Sequence, residues 1–313
     1  MSTAEHHFRQ NGETKRARVA VVGTGAMGSR IARRLLHSGV EVVVWNRSRA
    51  KLTPLEELGA TATNTPAEAT LRADVVITML ADPAALRAVS EGTDGIAAAA
   101  VAGQTLIEMS TVGPTAVRQL AERLPAGVGL LDAPVLGSLS EAESGSLKIF
   151  VGGDTRVLEP EQDLLELLGS PLHVGPLGCG AAAKLIANST LFGVLGVLGE
   201  ALELSMRLGL DADATFSVLG ATPLAAQAEK RRPALDSGEY PLRFPLSLAH
   251  KDAVLIVETA HEAGAKLELA ESLRRSLAEA ERAGWGDRDY SALLPWLLDG
   301  ARPPTSAPGS DGR

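Results

Sequence analysis

At 313 residues the chain has room for about two domains. With 45% hydrophobic residues and 3% aromatic ones, its core must be built from Ala, Leu and Val, which suits closely packed helices. A net charge of −8 and a pI near 5.4 argue against nucleic acid or an anionic membrane as partner. The single cysteine, Cys179, excludes an intrachain disulfide and fits a reducing cytoplasm, the expected location. It lies between Gly178 and Gly180 and reads as a small turn residue rather than a reactive thiol.

Met1 to Lys15 is polar and lacks the apolar stretch of a signal peptide. The first apolar run, Val19–Val22, feeds Gly23-x-Gly25-x-x-Gly28, and a helical pattern follows from Ser29 to Ser38. Gly23 permits the tight strand-to-helix turn, Gly25 lets backbone approach a pyrophosphate, and Gly28 lets helix and strand pack closely. The helix N-terminus then faces the phosphates. With a strand before, a helix after and a second strand at Val40–Trp45, the loop Gly23, Thr24, Gly25, Ala26, Met27 and Gly28 reads as a dinucleotide site. The end of the second strand decides which dinucleotide. An NAD site places Asp or Glu about 20 residues past the glycines, on the ribose hydroxyls. This chain has Asn46, Arg47 and Ser48 there. A guanidinium can bind a 2′-phosphate bidentately and stack on adenine, so the expected cofactor is NADP. The competing reading of Arg47 is a solvated loop charge.

Further apolar runs follow at Val75–Leu80, Thr105–Met109, Gly129–Val135, Lys148–Val151 and Leu172–Val174, with helical patterns at Ala50–Leu58, Pro83–Val89 and Pro114–Arg123. Continuous apolar strands alternating with helices predict a parallel sheet covered on both faces. The ligand crevice then lies at the carboxyl ends of the strands. Met79, Leu80 and Ala81 end one strand there and are expected to line the nicotinamide side through their backbone.

Past Gly178 the pattern turns helical. One long stretch, Ala181–Leu208, contains no proline and would extend about 40 Å. It is followed by Ala212–Leu219, Leu224–Arg232, Leu246–Ala263, Lys266–Ala283 and Ser291–Leu298. Its longest uncharged segment, Leu185–Gly199, falls short of the ~20 residues of a membrane span. Gly193, Gly196 and Gly199 recur on this helix and predict close approach by another helix, within the domain or across a dimer. Ala301–Arg313, rich in Pro, Ser and Gly, reads as a disordered tail. The expected organisation is an α/β, Rossmann-type parallel-sheet domain over residues 17–179. An all-helical substrate and oligomerisation domain over 180–300 and the tail over 301–313 complete it.

Four segments resemble the β-hydroxyacid dehydrogenase family, whose members include 3-hydroxyisobutyrate dehydrogenase and glyoxylate/succinic semialdehyde reductase. They are Val22-Gly-Thr-Gly-Ala-Met-Gly28, Asp132-Ala-Pro-Val-Leu-Gly-Ser138, Gly178-Cys-Gly-Ala-Ala-Ala-Lys184-Leu-Ile-Ala-Asn188 and Lys251-Asp252. Ser110-Thr111-Val112 is similar to the family's cofactor-contacting Ser-Thr segment. Lys184 and Asn188 stand i and i+4 on one helix face, expected to open where the two domains meet. Hydride reduction of a carbonyl builds negative charge on oxygen, which the Lys184 ammonium can stabilise and protonate, with Asn188 adding a hydrogen bond. For Lys184 the competing reading is a helix-surface lysine, and for Asn188 a structural side-chain bond.

The resemblance implies further roles. Thr111 and Lys251 would reach the cofactor, Asp252 would order the substrate site, and Gly137 and Ser138 would belong to the substrate-carboxylate loop; the competing reading of Lys251 and Asp252 is a solvated pair at a helix end. The family loop usually ends Val-Ser-Gly-Gly, so Leu136 removes one hydroxyl and Ser138 supplies one two positions later. His250 is expected to pack rather than react, and no metal site is expected. The resemblance further implies a homodimer or homotetramer formed through the helical domain. The preferred reading is an NADP(H)-dependent oxidoreductase interconverting a small β-hydroxyacid and its semialdehyde or keto form. The alternatives are an imine reductase and a non-catalytic nucleotide-binding scaffold. The first half also resembles imine reductases, but a lysine cation at 184 would repel an iminium substrate.

Overall fold

The computed structural model describes residues 8–10, 13–15 and 18–299. The expected tail at 301–313 lies outside the described residues. Strands β1 (Phe8–Gln10) and β2 (Glu13–Lys15) pair antiparallel in a two-stranded sheet of their own.

The remaining strands are β3 (Arg18–Val22), β4 (Glu41–Trp45), β5 (Thr61–Ala62), β6 (Val75–Thr78), β7 (Thr105–Glu108), β8 (Gly129–Asp132), β9 (Val135–Leu136), β10 (Leu147–Gly152) and β11 (Gly169–Gly175). They form a 9-stranded sheet in the order β11-β10-β8-β7-β6-β3-β4-β5, with β9 paired to β10. From β5 to β8 every pairing is parallel, and the order is that of a dinucleotide-binding sheet, 3-2-1-4-5-6. The registers align the carboxyl ends: Trp45, Val22, Thr78, Glu108 and Asp132 are successive neighbours across the sheet. β3 shows why both faces are covered. Val19 and Val21 pack with Ile31 and Leu35 in one core, while Ala20 and Val22 pack with Leu86, Val117 and Leu120 in another.

The far edge departs from the expected parallel sheet. The run expected as one strand, Gly129–Val135, breaks after Asp132 around Pro134, which has no amide to donate. β10 then runs antiparallel to both β8 and β9. The two-residue β5 and the short helices Pro66–Leu71, Ile96–Ala99, Leu139–Ser144 and Gln162–Leu168 were not expected. They are too short to show a hydrophobic period.

The second half of the described chain is helical: Cys179–Arg207, Ala212–Gly220, Ala225–Ser237, Leu246–Glu262, Glu268–Ala280 and Leu293–Asp299. The chain divides into two compact units within the long helix, between Ala187 and Asn188. The first turns stay with the sheet because the Asp132 carboxylate accepts the amides of Gly178 at 2.9 Å and Ala181 at 2.7 Å. The glycine stripe is filled within the helical unit by leucines. A Cβ at Gly193 would lie 3.5 Å from Leu269 Cδ2, one at Gly199 would lie 2.7 Å from Leu297 Cδ1, and one at Gly196 would overlap Leu273. The long helix is apolar and long enough to cross a membrane by length and composition, yet half of its most apolar stretch is buried inside the protein.

Candidate active site

β3 delivers the chain into the glycine loop. Gly23 has φ +97°, and a side chain there would overlap the Met79 carbonyl oxygen. A Cβ at Gly28 would overlap the carbonyl of Gly23, so this position keeps helix and loop in contact. Gly25 differs: nothing lies within 4 Å of its Cβ position. It caps the Ala26–His37 helix without a side-chain hydrogen bond, and the first turn carries no acid. An open approach to uncapped helix amides fits a pyrophosphate. Thr24 is buried, with a hydroxyl that has no partner among the described residues, while Ala26 is exposed and Met27 half-buried.

The turn after β4 is fastened to this loop by Asn46. Its Oδ1 accepts the Thr24 amide at 3.1 Å, and its Nδ2 donates to the Ser48 carbonyl at 3.1 Å. Asn46 therefore shapes the turn. Arg47 and Ser48 stand exposed at its tip, and no carboxylate side chain occupies residues 46–48.

Across the switch point, the ends of β6 and β7 are joined through Glu108. This carboxyl is fully buried, and burial pushes it up to about 7 against the pull of hydrogen bonds from Ser110 and Thr78. Met79 donates its amide to the Val22 carbonyl at 3.0 Å, and Leu80 donates to Ser110 Oγ at 2.8 Å. Ala81 is exposed and Thr111 half-buried. Asp132, in register beside Glu108, is also fully buried and shifted upward by burial. Sequence reasoning missed both acids as site-building residues. The available signal was a carboxylate at the carboxyl end of an otherwise apolar strand.

The 132–138 loop holds Leu136 half-buried and Gly137 exposed. Gly137 has φ +149°, and a Cβ there would lie 2.8 Å from Leu147 Cδ2. Ser138 precedes the Leu139–Ser144 helix and faces inward along its own chain. Its amide donates to Glu141 Oε2 at 2.8 Å, its hydroxyl donates to the same oxygen, and the hydroxyls of Ser138 and Ser140 are 2.8 Å apart. These bonds hold the Glu141 carboxyl down at about 2.

In the helical unit, Asn188 is buried and its Nδ2 donates to Asp252 Oδ2 at 2.7 Å. Asp252 is equally buried, and Lys251 Nζ lies 2.5 Å from its Oδ1. Lys184 is half-buried, one turn before Asn188 on the long helix. His250 pairs with Glu281 through Nδ1 at 2.5 Å. The structure thus gathers the glycine loop and residues 46–48, 79–81 and 108–111 in the first unit. Asn188, Lys251 and Asp252 are gathered in the second. Among the described residues no group of His, Cys, Asp or Glu is arranged to hold a metal.

A 3-2-1-4-5-6 sheet with an open glycine loop, followed by a helical unit, defines a dinucleotide-binding protein of the Rossmann class. Residues 18–179 match the family model described as the NAD binding domain of 6-phosphogluconate dehydrogenase. Residues 178–297 match that described as the NAD-binding domain of NADP-dependent 3-hydroxyisobutyrate dehydrogenase. The chain is 30% identical to glyoxylate/succinic semialdehyde reductase 2 of Arabidopsis thaliana, over 88% of this chain and 78% of that one. It is 30% identical to 2-(hydroxymethyl)glutarate dehydrogenase of Eubacterium barkeri, over 90% and 94% of the two chains. A solved structure of 3-hydroxyisobutyrate dehydrogenase from Mycobacterium tuberculosis, with L-serine, superposes with a TM-score of 0.81 at 28% identity, covering 90% of this chain and 99% of that one. The chain belongs to the β-hydroxyacid dehydrogenase family, and it is an oxidoreductase that uses a nicotinamide cofactor on hydroxyacids or their carbonyl forms.

Proposed function

We propose that the protein is an NADP(H)-dependent enzyme interconverting a small carboxylate-bearing β-hydroxyacid and its semialdehyde or keto form. The observation that carries this reading is the fixed Asn188–Asp252 pair, one helical turn from Lys184. When bound, NADPH supplies a hydride to the substrate's carbonyl carbon. Lys184 holds its ammonium against the carbonyl oxygen, stabilises the charge that develops there and gives up a proton to complete the alcohol. In the reverse direction it takes that proton back. Asp252 occupies one N–H of the Asn188 amide and so orients the other toward the same oxygen. Lys251, anchored by Asp252, is assigned to the cofactor on the family resemblance. NADP is favoured over NAD by Arg47, exposed where an NAD site would place a carboxylate.

The substrate loop is read differently from the family pattern. Both donors of Ser138 are engaged by Glu141, so Ser138 can serve a substrate carboxylate only by releasing that helix cap. Two of the relatives are named for acids or aldehyde acids of short chain, which supports a carboxylate substrate. The test follows NADPH consumption with glyoxylate, succinic semialdehyde, methylmalonate semialdehyde and a cyclic imine. Turnover of one or more aldehyde acids is expected. Turnover of the imine alone would replace this reading with an imine reductase, and binding of NADPH without any turnover would leave a nucleotide-binding scaffold.

We also propose a cytoplasmic homo-oligomer, a dimer or a tetramer. Ile186, Leu204 and Met206 on the long helix, and Leu208 just past its end, expose apolar side chains that are costly to keep in water. Light scattering should give a mass above the 32.5 kDa of one chain, and a mass equal to it would refute the assembly.

A further inference from the structure

Glu108 has no part in the chemistry above, yet its surroundings are specific. It ends β7, in register with Thr78 of β6 on one side and Asp132 of β8 on the other. Its carboxyl closes a ring of hydrogen bonds between two strand ends. The Thr78 hydroxyl donates to Oε2, and the Ser110 amide donates to Oε1 at 2.6 Å. The Ser110 hydroxyl is hydrogen-bonded to the same carboxyl and accepts the Leu80 amide at 2.8 Å. The Met109 amide, donating to the Thr78 carbonyl at 3.0 Å, completes the ring.

The consequence is local rigidity at one place. Strand ends leave backbone amides without ladder partners, and buried amides must find others. Here the amides of Leu80 and Ser110 are satisfied by a ring that passes through Glu108, so segments 79–81 and 110–111 are held as one piece. Their position in the sheet says which part of a dinucleotide they face. β3, β4 and β5 form one half of the 3-2-1-4-5-6 order, and the glycine loop and residues 46–48 end that half. β6 and β7 open the other half, across the switch point, where the second mononucleotide of a dinucleotide sits.

We propose that Glu108 is a positioning residue for the nicotinamide half of the cofactor, holding the 79–81 and 110–111 backbone segments at one fixed separation. The inference rests on the cofactor reading above. A leucine at 108 would fill the space and accept no hydrogen bond. A glutamine would still accept from Ser110 through its carbonyl oxygen. Burial pushes the carboxyl up to about 7, so glutamine also stands in for its protonated form.

The test compares two ligands by calorimetry: NADPH, and 2′,5′-ADP, which carries the adenosine half without nicotinamide. Glu108→Leu is expected to weaken NADPH about ten-fold, the scale of one or two lost hydrogen bonds, while 2′,5′-ADP stays within about two-fold. Glu108→Gln is expected to recover most of the lost NADPH affinity. If Glu108→Leu does not fold, Thr78→Val opens the same ring at the Thr78 hydroxyl and is read by the same comparison of the two ligands. Equal weakening of both ligands, no change in either, or no recovery in Glu108→Gln would overturn the proposal. Binding needs no turnover, so an unmutated protein that binds NADPH but reduces nothing refutes the proposed activity and leaves this test intact. Failure of the unmutated protein to bind either ligand refutes the cofactor reading and this inference together.

Discussion

Glu108→Gln should change how stability depends on pH. In the folded protein the carboxyl is fully buried and raised from 4.5 to about 7, with burial the largest cause. The unfolded chain loses this proton near 4.5, whereas the folded chain keeps it to about 7. Between those values the folded state binds more protons, so stability falls as pH rises. The contribution is complete below 4.5 and gone above about 7. At about 1.4 kcal/mol per pH unit, that interval corresponds to roughly 3 kcal/mol. Glutamine does not titrate and should lack this slope. Asp132, also raised by burial, contributes a slope of the same sign; its charge helps to raise Glu108, so the substitution removes that coupling as well and the difference between the two curves belongs to the pair. Urea unfolding of parent and variant, from about pH 4.5 to about pH 8, reads the difference. The stability of the parent relative to the variant should decline by roughly 3 kcal/mol up to about pH 7 and then level. Parallel curves with a constant offset would refute the reasoning.

Lys184→Ala should lower kcat by about two to four orders of magnitude while NADPH affinity stays nearly unchanged; retained turnover in a stopped-flow assay would remove Lys184 as proton donor. NADPH should bind at least about ten-fold tighter than NADH, and Arg47→Asp should abolish the preference; equal affinities in the unmutated protein would show that Arg47 is a solvated loop charge. Gly196→Val forces methyl groups against Leu273 and should destabilise the helical unit by about 1–3 kcal/mol. An unchanged melting temperature would mean that the leucine moves aside freely.

The corrections to the sequence reading have a common origin. The glycine stripe at 193, 196 and 199 was legible as a demand for space, but its occupant was not. The leucines that fill it, Leu269, Leu273 and Leu297, lie far along the chain. Ser138 was legible as a hydroxyl in the substrate loop. Its capture by Glu141 depends on the short helix that starts beside it, which carries too few residues to show a period. The strand Gly129–Val135 reads as one apolar run, and what happens at Pro134 depends on pairing with β10.

The chain by itself determined the Rossmann-type first half, the helical second half, the glycine loop, the absence of a carboxylate at 46–48 and the Lys184–Asn188 spacing. Each of these is a local property: a hydrophobic period, a glycine where only glycine fits, or two residues one helical turn apart. Tertiary structure alone decided the burial of Glu108 and Asp132, the Asn188–Asp252 hydrogen bond and the fastening of the 46–48 turn to the glycine loop. Those pairs are separated by tens of residues or stand on different strands. A side chain's partner at that range is set by strand order and register, which local pattern does not encode.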